Sequence, residues 1–241
     1  MTARISKLFL FAPLAIALAT FPCDASEPDK DPQMLKLLQE ARTLIDSKKP
    51  APAIENCNKV IAGFEAAYSH EKQKIYCARS SAESLGYLMK AAVEADKGSA
   101  TKPGAIALSS VWADAYFMKS YALQDLGRIA DAKSQINLAL NLSPWSPQYL
   151  CELGAIYELE KNWPKAMKTF KEAEDHNALA PDESRAQELG QARRGVAYVL
   201  VEQGKLEEAA KIYRECLKTD PQDTRAAREL EYVRQQQNKK K

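Results

Sequence analysis

From Ala113 onward, apolar residues return at steps of three and four, the spacing of an α-helix with one buried stripe. The stripes come in pairs, parted by short breaks at Asp125-Leu126-Gly127-Arg128, Glu160-Lys161-Asn162 and Gln203-Gly204-Lys205. Glycine ends a helix readily because it tolerates left-handed backbone angles, and Trp163-Pro164 suits a helix start, where proline's missing N–H is no loss. The pattern therefore predicts helical hairpins. It also repeats: Tyr116, Ser120, Leu123, Gly127, Ala132, Ile136, Ala139 and Pro144 return 34 residues later as Leu150, Gly154, Tyr157, Lys161, Ala166, Phe170, Ala173 and Ala178. A third copy carries Val196, Ala197, Leu200, Gly204, Ala209, Tyr213, Cys216 and Pro221, after nine extra residues. Small residues at Ser120, Gly154 and Ala197 are expected to face Ala132, Ala166 and Ala209, so that paired helices approach closely.

The flanks are less regular. Residues 34–64 make a weaker copy, with Leu37, Ala41, Leu44, Ala53, Cys57 and Ile61 in register and Pro50 and Pro52 marking its turn. Residues 69–97 read as one or two helices, with Leu85, Leu88, Met89 and Val93 on one apolar stripe. Gly98 to Gly104 is a break, and Ala105 to Ser110 reads as the last turn of a degenerate repeat. Thr224 to Gln237 reads as a polar helix with Ala227, Leu230 and Val233 on one side, suited to capping an array.

Leu150-x-x-Leu153-Gly154-x-x-Tyr157 followed by Ala166-x-x-x-Phe170-x-x-Ala173 closely resembles the tetratricopeptide repeat. The resemblance implies an all-α fold, an α-solenoid of antiparallel helix pairs wound into a right-handed superhelix. The expected organisation is a leader at 1–25, degenerate repeat helices at 26–112, repeats at 113–146, 147–180 and 181–223 (the last with an extended first helix), and a capping helix with a basic tail at 224–241. In such arrays the first helix of each repeat lines a concave groove. The resemblance places Asp114, Phe117, Met118, Tyr121, Gln124 and Asp125 there from the first clear copy, and Gln148, Cys151, Glu152, Ala155, Glu158 and Leu159 from the second. The third contributes Gln191, Arg194, Gly195, Tyr198, Val201 and Glu202, and Trp112 and Trp145 stand at repeat boundaries beside the same surface. Phe117, Met118 and Tyr121 form an adaptable aromatic and sulfur-bearing patch; packing against the N-terminal helices is the alternative use for it. The lysine and asparagine with which some relatives clamp a carboxylate are replaced by Phe117 and Tyr121, while Glu152 and Glu158 give the groove acidic character.

The first residues belong to another class. Arg4 and Lys7 precede an uncharged apolar run from Leu8 to Phe21, and Cys23-Asp24-Ala25 offers small residues before a cut. This is the plan of a secretory signal peptide, too short for a comfortable membrane span of about 20 residues. Pro22 stands where a lipoprotein signal has a small residue. The expected product is exported, periplasmic or else secreted, with an uncleaved and tethering signal as the alternative.

Export changes the weight of Cys57, Cys77, Cys151 and Cys216. Cys151 and Cys216 read as buried thiols. For Cys57 and Cys77, on what read as consecutive helices, free thiols stand beside a disulfide closing a loop of about 20 residues, worth roughly 3 kcal/mol. Neither their spacing nor His70 and His176 suggests a metal site. With 34 basic and 32 acidic residues in 241, charge gives no case for nucleic acid. No phosphate loop, nucleophile elbow, CxxC or His-Glu-x-x-His motif occurs. The sequence thus points to a non-catalytic scaffold without cofactor or metal, holding a protein or peptide partner in its groove. The alternative is a structural or oligomeric subunit of an envelope assembly.

Overall fold

The structure is a computed structural model that describes residues 27–96 and 104–239. The leader expected at 1–25 lies outside the described residues. The described chain is an α-solenoid: helices α1 (Pro32–Asp46) and α2 (Pro50–Ala67), α4 (Val111–Asp125) and α5 (Ile129–Leu142), α6 (Pro147–Leu159) and α7 (Trp163–Asp175), and α8 (Asp182–Glu202) and α9 (Leu206–Thr219) form four hairpins. The last helix, α10 (Thr224–Lys239), packs on α9.

The hairpin turns share one geometry. A residue with positive φ follows each first helix: Lys48 (58°), Gly127 (71°), Lys161 (54°) and Gly204 (75°). The next N–H then reaches back to the helix, Lys49 to Leu44 (2.8 Å), Arg128 to Leu123 (2.9 Å), Asn162 to Tyr157 (2.8 Å) and Lys205 to Leu200 (2.9 Å). These bonds satisfy carbonyls that a helix end leaves unpaired. The recurrence shows α1 and α2 to be built as the later hairpins are.

Between α2 and α4 the chain departs from the expected helices. Lys74–Ala78 (β1) and Ala105–Ser109 (β2) form a two-stranded parallel sheet, with Ile75 opposite Ile106 and Cys77 opposite Leu108. Ser81–Asp96 (α3) packs on both strands. Within the stretch expected to be helical, 74–78 are therefore strand and 81–96 helix, and 105–109 are strand and not a helical turn. The physical reason lies in alternation: Ile75 and Cys77 reach the solenoid core while Tyr76 stacks on Tyr87 of α3 at 5.1 Å. The orientation of α3 also differs from that of an ordinary core helix. Glu83 and Tyr87 are its buried residues, whereas the stripe Leu85, Leu88, Met89 and Val93 faces outward.

Phe170 is the wedge of the C-terminal core. A Cβ placed on Gly154 of α6 would lie 2.6 Å from its ring, and one on Gly195 of α8 2.5 Å from it. The hydrogen side chains of these two positions admit the ring. At the equivalent place in α4, Ser120 donates to the Ala132 carbonyl at 2.9 Å. In α10, Ala226 and not Ala227 is buried with Leu230 and Val233. Cys57 and Cys77 are separate free thiols: Cys57 packs with Ala41, Ile45, Ala53 and Ala122, and Cys77 with a different cluster under β1. The strand that replaces the expected helix removes Cys77 from a helix neighbouring α2, so no bridge forms.

Candidate partner-binding groove

The first helices of successive hairpins do line one groove. Its N-terminal part is a cavity of about 500 Å³. Phe117, Met118 and Tyr121 of α4 form one wall, and Arg42 and Ile45 of α1 flank them. The extended start of α8, with Gln187, Glu188 and Gln191, stands across from them. Phe117 leans on the buried Tyr149 with ring centres 5.3 Å apart, and Met118 also touches the core between α1 and α2. Tyr121 is 42% exposed. The aromatic patch is thus partly packed by α1 and partly open.

Beneath it lies a buried ionic cluster. The Arg79 guanidinium donates to Glu188 (2.7 Å), Glu83 (2.8 Å) and Gln148 (3.2 Å), and its backbone N–H donates to Glu83 (2.7 Å). The fork geometry of arginine allows this multiple bonding, and its two carboxylates compensate for the loss of water. The cluster ties the β1–α3 unit to α8. Nearby, Asp114 accepts from Ser110 (2.6 Å) and from Tyr149 (2.6 Å). Burial pushes the Asp114 pKa up, against the lowering effect of those two bonds and of Arg79 and Arg42.

Gln124 and Glu152, expected in the groove, line neither of its cavities; Gln124 donates to the buried Glu152, whose pKa burial pushes up to about 7 against that hydrogen bond. A second cavity of about 220 Å³ follows, lined by Glu158, Gln191, Arg194, Tyr198, Tyr213 and Glu229 among others. Burial, with the nearby charge of Glu202, pushes Glu158 up to about 8. The buried Glu158 Oε1 and Tyr213 hydroxyl find no hydrogen-bond partner among the described residues, while Arg194 pairs with Asp223. Tyr198 is 38% exposed and meets Trp163 edge-on at 6.4 Å.

The two tryptophans are placed elsewhere. Trp112 is buried in a three-ring cluster with Phe64 (5.5 Å) and Tyr68 (6.1 Å). Trp145 lies between Tyr87 (5.2 Å) and His176 (5.7 Å), fastening α3 to the solenoid. Neither lines either cavity, because each fills a gap left by the irregular N-terminal region. Conversely, Arg79 and Glu188 belong to the groove floor without having been singled out from sequence. Glu188 falls in the extra residues before the third repeat, outside the repeat register, and Arg79 had only the four-residue spacing to Glu83 as a signal.

The tetratricopeptide repeat family matches residues 113–144 and, separately, residues 190–232. The chain thus carries tetratricopeptide repeats. No protein of curated function matches the sequence. Among solved structures, a MamA RS-1 double mutant is 12% identical, with 86% of each chain covered and a TM-score of 0.50, a likeness of fold alone. A crystal structure of MamA is 15% identical over 81% of this chain and 83% of that one, with a TM-score of 0.47. A thermophilic tetratricopeptide protein of Thermus thermophilus is 15% identical over 83% of this chain and 98% of that one, with a TM-score of 0.43.

Proposed function

We propose that this protein is an exported, non-catalytic adaptor of a bacterial-type cell envelope that holds a protein segment in its groove. Tetratricopeptide repeats suggest protein partners as a class. The observation that carries the groove assignment is an open apolar wall in one cavity and an under-paired acid in the other, with Gln191 common to both linings. Tyr121, Met118 and Phe117 offer contact area, and Glu158 lies half-buried near the acidic Glu202, with its Oε1 buried and unbonded among the described residues. A segment with an apolar anchor followed by a basic residue fits that order, since the basic group would restore the Glu158 charge that burial suppresses. The leader read from Arg4 to Ala25 supports export and a periplasmic location. A non-catalytic role is supported by the state of the reactive groups. Burial pushes the Cys57 thiol up to about 12 and raises Cys77 as well, so both stay protonated and poorly nucleophilic near neutral pH.

Affinity capture from envelope extract tests the reading. Phe117→Ala with Tyr121→Ala is expected to lose a stoichiometric partner that the parent retains, at unchanged helical signal. Undiminished capture by that variant would remove the groove from the account. A protein recovered with its N-terminus intact from the cytoplasm would remove export. A second reading, a self-assembling structural subunit, is favoured by the outward stripe of α3.

A further inference from the structure

Helix α3 carries an apolar seam that no described residue covers. Ala82, Leu85, Met89 and Ala92 recur at steps of three, four and three, and all are exposed, Leu85 at 61% and Met89 at 59%. Leu88 and Val93 (53%) widen the seam on its flanks. That spacing is the one by which helices pack lengthwise on each other, and the two alanines allow close approach. A helix of a folded chain ordinarily turns such a stripe inward. Here Glu83, bound to Arg79, and Tyr87, stacked on Tyr76 and Trp145, take the inward positions. The seam is therefore left over after the fold has satisfied α3.

We propose that this seam joins two copies of the chain, their α3 helices running antiparallel with the two-fold axis at Met89. Such an axis sets Met89 against Met89 and Leu85 against Val93, so apolar residues meet along the centre. Charge selects the antiparallel sense. Glu94, paired with Lys90 at 2.5 Å, and Asp96 lie at the C-terminal end of α3, and Ser81 and Ala82 at its N-terminal end. Antiparallel pairing brings each Asp96 to the partner's Ala82, where the helix dipole is positive. Parallel pairing would gather the acidic ends together. A lipid surface is the less suitable occupant, because the exposed Glu94 and Asp96 outnumber Lys90 on this helix and anionic headgroups would repel it. One seam buries less than the roughly 1,200 Å² of a stable interface, so the pair dissociates on dilution. The inference rests on neither the groove nor its occupant.

The test is sedimentation of the purified protein, its N-terminus left as the cell makes it, over a wide concentration range. The parent should pass from one chain mass to twice that mass as concentration rises, and Met89→Glu should hold it at one. Because Met89 is exposed, that variant should keep the parent's circular dichroism and melting profile. Met89→Cys should give, on oxidation, a dimer whose mapped bridge is 89 to 89. Cys57, Cys77, Cys151 and Cys216 are all buried, so they do not compete, and the mapping separates an 89 to 89 bridge from one through Cys23. A monomer at every concentration would overturn the proposal, and so would a dimer indifferent to Met89→Glu. A monomer that floats with phosphatidylglycerol vesicles through the same residues would overturn it too.

Discussion

Adding one methyl group at Gly195 should destabilise the protein, although helix propensity argues the reverse. In a helix interior, alanine is favoured over glycine by about 1 kcal/mol. At Gly195, however, the new Cβ would sit 2.5 Å from two atoms of the Phe170 ring and 2.6 Å from a third. Carbon atoms prefer about 3.5–4.0 Å, so the ring must withdraw by roughly 1 Å. Withdrawal is blocked, because Phe170 is 3% exposed and the same ring edge fills the notch at Gly154. Overpacking of this kind costs about 1–3 kcal/mol, and contact with three ring atoms places it at the upper end. Less the propensity gain, Gly195→Ala should lose about 2 kcal/mol. Shortening Phe170 to leucine makes room, and in that background Gly195→Ala should become neutral or stabilising. The four proteins of this cycle are compared by urea unfolding followed by circular dichroism, and the coupling should reach about 2–3 kcal/mol. A raised midpoint for Gly195→Ala alone would refute the wedge.

Lys161 holds a left-handed angle where Gly127 and Gly204 hold theirs, so Lys161→Gly should raise stability by about 0.5–1 kcal/mol, and an unchanged or lower unfolding midpoint would count against it. Arg79→Met leaves the buried Glu83 and Glu188 without their cation, and should cost about 3–5 kcal/mol in the same assay; a loss under about 1 kcal/mol would mean that the cluster is not closed. Glu152 and Glu158 bind their protons more tightly folded than unfolded, with pKa values of about 7 and about 8 against an ordinary 4.5. Their contribution is therefore fully present below about pH 4.5 and is lost as pH rises toward 8. Urea midpoints of the parent should fall more steeply between about pH 5 and 8.5 than those of Glu152→Gln with Glu158→Gln, and parallel slopes would contradict the burial described for them.

The hairpins from α4 to α9 were legible because two signals coincide in each, a helical apolar period and a break that takes a left-handed residue. The β1–α3–β2 unit was not. Its strands are five residues long, too short for alternation to outweigh the apolar helix-like run that follows Ser81. The stripe of α3 was visible, but an amphipathic pattern states only that a helix has an apolar face, never what covers it. The residues that α3 buries, Glu83 and Tyr87, are satisfied by Arg79, Tyr76 and Trp145, contacts that no repeat period specifies. For the same reason, the groove positions of α4, α6 and α8 could be placed by repeat geometry, while Trp112, Trp145, Arg79 and Glu188 depended on packing that the repeat does not encode. The expected Cys57–Cys77 alternative failed at the same point, where a strand replaced a helix.

The most direct measurement of the groove assignment is photo-cross-linking in intact cells. A light-activated phenylalanine analogue is placed at Tyr121, facing the larger cavity, or at Leu138 of α5, which is similarly exposed and lines neither cavity. The groove account predicts one discrete protein adduct from position 121, recovered from the envelope, and none of that mass from position 138. Adducts of equal yield from both positions, or from position 138 alone, would contradict it.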